Sequence, residues 1–584
     1  MIRKAVAYTD YGGWDTTPFV SAGEFAPEFG DYDVSLDIPR GMLVAGSGTL
    51  TNGKDVLTAD QLARLDRANN GERQQVVSVS EAARVPKFGG RATWRFSGRN
   101  IRDFAFAASR RYAWEAQRPN KNAPVAMAYY TPEAAPLWQR FALPAISHTL
   151  DVYGSRTFPY PYPVIQAAYG PIDGMEHSML AFSRYAPDGP DGSYSAQMKR
   201  DFLWVLIHEV GHAWFPLVVN SNERQWTWMD EGLNTFLEYI AELEWEEKFP
   251  AFGDKTNVLD AITTYMQSSD QVPIMTNSES IVQFGPNAYS KPAAALSVLR
   301  EVVMGRELFD HAFREYSNRW KFKRPTPADF FRTMEDASGV DLDWFWRGWF
   351  YGTDHVDVAV GDIREYQVSS QDPEVEFPLK RAEFARDWPD SYSQKLNKAE
   401  GRTTRLERYP ELKDFYNEND AFVVTNKDRN EYRDFLEKLK PWEKATFERA
   451  VKAGEYVYFV DFQNIGGLVT PLPLTINYVD GSREDYLVPA EVWRYNAIEV
   501  TKLFIRDKRI ASVELDRNHL IADADKSNNI TPRRIAQSRI ELFRARDSGR
   551  NQMLDALAEL KTKGKSGDEA KTEEKALPLA PAQP

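Results

Sequence analysis

The chain has 584 residues and a net charge of −13, from 72 Lys and Arg against 85 Asp and Glu, with no cysteine. That length asks for roughly three or four domains rather than one core, and the charge repels phosphate backbones, which excludes nucleic acid as a partner. Zero cysteines exclude disulfides and thiolate catalysis, so any metal must be held by His and carboxylate side chains.

Residues 1–20 contain too few consecutive apolar residues for a signal-peptide core, and the amino terminus reads as truncated. From Val34 to about Tyr112, short alternating runs such as DYDVSLDI, GMLVAGSG and ATWRFSG are separated by turns. They predict a β-rich domain, with 60–68 and 72–83 as a polar excursion from it. Residues 132–153 have helical periodicity and open a second domain, with His148 as a packed helix residue.

Residues 203–239 contain His208, Glu209, His212 and Glu231. A helix turns about 100° per residue, so His208 and His212 emerge from one face a turn apart, close enough to share a tetrahedral ion. The apolar run 203–207 would bury this helix, and buried His and Glu side chains need a partner, for which a metal is the simplest choice. Glu209 points beside the ion, where a carboxylate can act as general base on water. A catalytic zinc needs a third protein ligand and one open position, and Glu231, on a second helix and separated from His212 by the 18 residues 213–230, supplies that ligand. The cofactor implied is one Zn2+ per chain. The same stretch, 203–219, is the most apolar of the chain, but its His, Glu and Pro216 disqualify it as a membrane span, so no transmembrane segment is expected.

Beyond it, the acidic run 242–248 reads as a solvated helical face, and helices follow at about 291–304 and 308–320. After Gly352, HVDVAVGDIREYQV starts a strand-rich domain, 380–452 reads as a charged helical insertion, and EYVYFVDFQNIGG, PLPLTINYVDG and IASVELD complete an immunoglobulin-like sandwich. His519 lies in a polar, acidic loop that reads as solvated rather than calcium-binding. Residues 532–560 predict one long terminal helix, and 561–584 lack the apolar residues that would offset ordering entropy.

The HExxH, 18 residues, E arrangement resembles the zinc aminopeptidase family that includes aminopeptidase N and leukotriene hydrolase. Upstream, DGMEH at 173–177 resembles the family's G-x-M-E-N stretch, which implies that Glu176, flanked by Met175 and Gly174, grips the free amino group of a peptide; Asp173 and His177 depart from the pattern. Downstream, AYSKP at 288–292 resembles Y-x-K-G, which implies that Tyr289 stabilises the oxyanion, with Pro292 in place of glycine. GEFAPEFGDYDVSLDIP at 23–39, FPYPYP at 158–163 and residues 324–350 agree as well, and the chain is most similar to the secreted bacterial branch, which implies a periplasmic or extracellular location.

The resemblance covers about residues 20–360 and implies a multidomain α+β fold. Its parts would be an incomplete N-terminal β domain (1–120), a thermolysin-like, mostly helical zinc domain (121–355), an immunoglobulin-like β domain (356–530) with a helical insertion at about 380–452, a terminal helix (531–560) and a disordered tail (561–584). It implies a zinc aminopeptidase acting on peptides with a free N-terminus. Zinc on His208, His212 and Glu231 would polarise the carbonyl, and Glu209 would activate water and return the proton to the leaving amine. Glu176 would count one residue from the end. Asp173 is expected to add a second negative charge beside Glu176, because the segment where a relative places its second amine anchor reads as missing. Two rival readings remain: endopeptidase or epoxide-hydrolase activity at the same zinc site, and a catalytically inactive binding scaffold, against which the intact ligand set counts.

Overall fold

Alternation sets the first sheet. In the computed structural model, which describes residues 7–9, 13–15, 22–24, 27–84, 89–247, 249, 257–533 and 550–565, Gly30–Pro39 runs antiparallel to Arg91–Ile101 with its side chains alternating between exposed and half-buried. The polar excursion between these strands contains two short helices, Ala59–Asn69 and Val79–Ala83. Each starts at a capping box, Thr58 with Gln61 and Ser78 with Glu81, so its first amides are satisfied locally.

A six-stranded mixed sheet forms the floor under the site. Its strands are β1 (Gln74–Val77), β2 (Ala113–Gln117), β3 (Val125–Tyr130), β4 (Val164–Tyr169), β5 (Gly174–His177) and β6 (Leu180–Ser183), in the order β5-β6-β4-β3-β2-β1. β3 is buried throughout and pairs in parallel with β4, as expected for near-continuous apolar strands covered on both faces. The boundary expected at 120/121 falls inside this sheet, because β2 and β3 are antiparallel neighbours. The Pro- and Asn-rich stretch 118–124 is the turn between them.

Helix α1 (Ala135–Arg156) packs on this sheet and is followed in the chain by α2 (Ala196–Gly211) and α3 (Glu231–Trp245). His148 is the packed helix residue expected: its Nε2 lies 2.8 Å from the Ala241 carbonyl oxygen and its ring meets Trp245 edge-on. Helices Arg306–Trp320, Pro327–Ser338 and Asp343–Trp349 complete this region. No helix among the described residues is long and apolar enough to cross a membrane.

The C-terminal part holds two antiparallel sheets. β7 (Val358–Gln367), β8 (Tyr456–Asn464) and β11 (Glu499–Arg506) form one, and β9 (Leu472–Tyr478), β10 (Arg483–Val488) and β12 (Ile510–Leu515) belong to the other. Tyr458, Val460, Phe462, Ile476 and Val513 are buried in their core. Between β7 and β8 the chain leaves as helices spanning Pro373–Ala453, in which only Pro373 is buried, and it returns where Gln367 pairs with Tyr456.

His519 is not simply solvated. Its Nδ1 lies 2.9 Å from Asp260 Oδ2 and its carbonyl accepts a hydrogen bond from Asn257 Nδ2 at 2.9 Å, which ties the C-terminal loop to helix Val258–Met266. The terminal helix runs Gln552–Lys565, five residues into the stretch expected to lack order, because an established helix gains one backbone bond for each residue added. The remainder of the expected tail, 566–584, and residues 534–549 of the expected helix lie outside the described residues.

Candidate metal centre

The site is built on α2. Ser195 caps its first turn by accepting the Met198 amide, and Phe202, Leu203 and Leu206 to Val210 are buried. Each such apolar side chain contributes about 1.5–3 kcal/mol of burial, which holds the polar residues of the same helix away from water. His208 and His212 then face each other, their Nε2 atoms 2.9 Å apart and their rings nearly perpendicular at 88°. His208 Nδ1 is 2.6 Å from Glu238 Oε2, and His212 Nδ1 is 2.8 Å from both the Phe215 carbonyl and Asp230 Oδ1. With both Nδ1 atoms engaged, both Nε2 atoms are aimed into the same small volume, the arrangement that orients metal-ligating imidazoles.

Glu231 closes the set. It begins α3, directly after the Thr227–Met229 turn, where buried Trp228 stacks on Phe331 and meets Phe330 and Phe350 edge-on. Its Oε2 lies 3.2 Å from His208 Nε2 and 3.3 Å from His212 Nε2. One ligand atom from each of the three lies within 4.8 Å of the others, and all three residues are buried. Two imidazole nitrogens and one carboxylate oxygen, converging without an intervening protein donor, fit a zinc-type ion. Despite burial, the charges of His212 and His208 hold the Glu231 carboxyl well below the usual carboxylate range. Burial would lower the pKa of His208, but the charge of Glu238 together with the hydrogen bonds to Glu231 and Glu238 outweighs it and lifts His208 to about 10.

Glu209, the expected base, lies on the same helix with Oε2 buried and without a hydrogen-bond partner. Burial pushes its carboxyl up to about 8, against the pull of His208 and His212. Gly174 stands opposite: a Cβ there would overlap Glu209 Oε1, so only glycine lets β5 approach this closely. Met175 is half-buried and packs against the core. Glu176, buried on the same strand, has a carboxylate oxygen within 4.8 Å of ligand atoms of Glu209 and His212.

Tyr289 sits in a π-helical turn, Pro286–Ser290, that runs into helix Lys291–Val298. Its hydroxyl donates to Glu231 Oε1 at 2.6 Å and its ring stacks on His208 at 5.7 Å. Pro292 is accommodated because Gly232, at the start of α3, lacks the Cβ that would overlap the proline ring.

Asp173 corrects the expectation that it adds charge to the pocket. It is exposed and ion-paired with Arg184, because residues alternate sides along a strand and Asp173 leads into β5 with Glu176 buried. The second acid beside Glu176 comes instead from the Ala22–Glu24 turn. Gly23, at φ +67°, lets this turn lie against Ser278, and a side chain there would overlap it. Glu24, Glu176 and Glu223 place one carboxylate oxygen each within 4.8 Å of one another. Burial and the charge of Glu176 push Glu24 well above its ordinary value, and Glu223 is pushed up to about 7 by burial, against the pull of Arg102.

Sequence reasoning missed Glu24, Glu223 and Glu238. Only Glu238 left a signal: seven residues after Glu231, it occupies the same helix face two turns on. Glu24 and Glu223 lie in irregular stretches with no period to mark them.

Residues 141–349 match the peptidase family M1 domain. The "Probable aminopeptidase 2" of Sulfurisphaera tokodaii is 30% identical over 189 residues, which cover 31% of this chain and 22% of that protein. Glutamyl aminopeptidase of Bos taurus is 28% identical over 158 residues, 26% of this chain and 16% of its own. The match therefore spans less than a quarter of the length of these curated relatives. Aminopeptidase A of Legionella pneumophila, solved in complex with aspartic acid, superposes with a TM-score of 0.50 at 13% identity over 89% of this chain and 47% of that one, a likeness of fold.

Proposed function

The chain carries a peptidase family M1 domain over residues 141–349, and from that premise we propose that it is a zinc aminopeptidase that removes the first residue of peptides with a free N-terminus. The observation that carries this reading is the meeting of His208 Nε2, His212 Nε2 and Glu231 Oε2 beside the unpartnered Oε2 of Glu209. Zinc held by those three side chains would supply Lewis-acid polarisation of the scissile carbonyl and a lowered pKa for water.

This chain's own residues do the rest. Glu209, with one carboxylate oxygen uncommitted, takes the proton from the attacking water and delivers it to the leaving amine. Tyr289 turns its hydroxyl from Glu231 Oε1 toward the oxygen on which negative charge grows. Glu176 accepts hydrogen bonds from the substrate's ammonium and thereby fixes which peptide bond lies against Glu209. Glu24 and Glu223 share that duty. The peptide pool we infer is periplasmic or extracellular, on resemblance to secreted relatives alone.

The test is a matched pair of dipeptide substrates, one with a free and one with an acetylated N-terminus, assayed on protein of measured zinc content. A kcat/KM at least a hundredfold higher for the free substrate supports the reading. Equal rates move the chain to the endopeptidase reading, and no hydrolysis by fully zinc-loaded protein moves it to the scaffold reading.

A further inference from the structure

Arg102 and Asp103 are consecutive residues just past the long strand Arg91–Ile101, and each holds a different part of the acidic wall. Arg102 is 3% exposed and forms an ion pair with Glu223, which is itself 0% exposed. Asn220 Oδ1 lies 3.5 Å from the same guanidinium nitrogen. With Glu223 Oε1 taken by Arg102, Oε2 remains buried and without a partner. Asp103 works on β5: its Oδ2 lies 2.5 Å from His177 Nδ1, and its Oδ1 accepts the Ser178 amide at 2.8 Å. These two bonds clamp the strand immediately after Glu176.

A primary ammonium has three N–H donors at tetrahedral angles. At a charge-assisted N···O distance of about 2.8 Å, its three acceptors stand about 4.6 Å from one another. Glu24, Glu176 and Glu223 offer three carboxylate oxygens, none more than 4.8 Å from another, close enough together for the three donors of one ammonium to reach all of them. A secondary ammonium, as in N-terminal proline or an N-methylated residue, has two donors and leaves one buried acceptor unanswered, which costs the desolvation of that group.

We propose that the Arg102-Asp103 dipeptide is a positioning element that sets Glu223, through the ion pair, and Glu176, through the His177 clamp, at the spacing a primary ammonium requires, so that the enzyme selects primary over secondary amino termini. The inference rests on the aminopeptidase reading and names its substrate class more narrowly. Arg102 and Asp103 act through other carboxylates and stand behind them. Their removal moves discrimination between amines.

The experiment compares kcat/KM for alanyl, N-methylalanyl and N-acetylalanyl versions of one chromogenic substrate, using the full chain and variants Arg102→Met, Arg102→Lys, Asp103→Leu and Glu223→Gln, each at measured zinc content and melting temperature. The unmodified chain is expected to favour alanyl over N-methylalanyl at least thirtyfold. In Arg102→Met, Asp103→Leu and Glu223→Gln that ratio is expected to fall at least tenfold, mainly through KM for the alanyl substrate, with Arg102→Lys keeping most of it. Glu223→Gln retains the shape of the side chain, so it reports even where the other two fold poorly. Equal alanyl and N-methylalanyl rates in the unmodified chain, with the acetylated substrate still refused, overturn the tripod but leave the aminopeptidase reading intact. An unchanged ratio in folded, zinc-bound variants overturns the positioning role. No preference for alanyl over N-acetylalanyl overturns the aminopeptidase reading itself.

Discussion

Tyr289 and Glu231 share a hydrogen bond of 2.6 Å through Oε1, while the other oxygen of the same carboxylate faces both histidines. One carboxylate thus links the candidate metal position to the candidate oxyanion donor. Burial and the charge of Glu231 raise the tyrosine pKa, so the hydroxyl keeps its proton and stays a donor.

Tyr289→Phe is therefore expected to lower kcat with little change in KM, by about 2.7–4 kcal/mol in transition-state stabilisation, as for loss of a single oxyanion donor. Steady-state kinetics on zinc-loaded protein decide it. An effect confined to KM would make the hydroxyl a ground-state contact.

Glu209→Gln is expected to retain one equivalent of zinc by elemental analysis while losing most turnover. The amide preserves the shape opposite Gly174 but cannot accept the proton. Wild-type rates from that variant would remove Glu209 from the role of base.

Metal affinity should depend on Glu238 as well as on the ligands. Its carboxylate orients His208 through Nδ1 at 2.6 Å, and loss of such a partner typically costs about 10–100-fold in affinity. Competition of Glu238→Gln against a graded set of chelators measures this, and unchanged affinity would mean that packing alone holds the imidazole. Complete chelation of the unmodified chain should abolish hydrolysis, and added zinc should restore it.

The His177–Asp103 pair predicts a pH dependence of stability. Burial would lower the His177 pKa, but the hydrogen bond and charge of Asp103 raise it. Its contribution is fully present below the unfolded value of about 6.5 and fades as pH rises through the raised folded value. Burial would raise the Asp103 pKa, but His177 and Arg102 hold it low, so its contribution is present above about 3.9 and fades on acidification through the folded value. The stability difference between the unmodified chain and Asp103→Asn should accordingly peak near pH 5–6 and shrink on the alkaline side. Thermal unfolding across that range tests it, and a difference that grows toward pH 9 would contradict it.

How much of this was legible depends on how local each signal is. The mixed α+β architecture was readable because the apolar–polar alternation in DYDVSLDI and helical periodicity in 132–153 are properties of short windows. His208 and His212 could be paired in sequence because helix geometry converts a spacing of four into proximity, whereas Glu231, on another helix, was expected only from the metal's need for a third ligand and from the family spacing. The carboxylate wall was not. Glu24, Glu176 and Glu223 come from a turn, a strand edge and an irregular loop, and Arg102 reaches Glu223 across 121 positions of sequence. Nothing in a window around any one of them records the others. The expected boundary at 120/121 carried no local signal of its own, and the pairing of β2 with β3 across it is a contact between strands that a window of sequence does not record.

The helices of Pro373–Ala453 leave and re-enter at Gln367 and Tyr456, which face each other in the ladder of β7 and β8. In topological terms the whole excursion is the loop of a single hairpin, so the strand pairing beneath it is indifferent to what the loop contains. Since each doubling of a flexible loop costs only about 0.6 kcal/mol of closure entropy, evolution can lengthen, trim or exchange this segment without renegotiating the register of the sheet. A short turn spliced between Gln367 and Tyr456 would leave the hairpin whole.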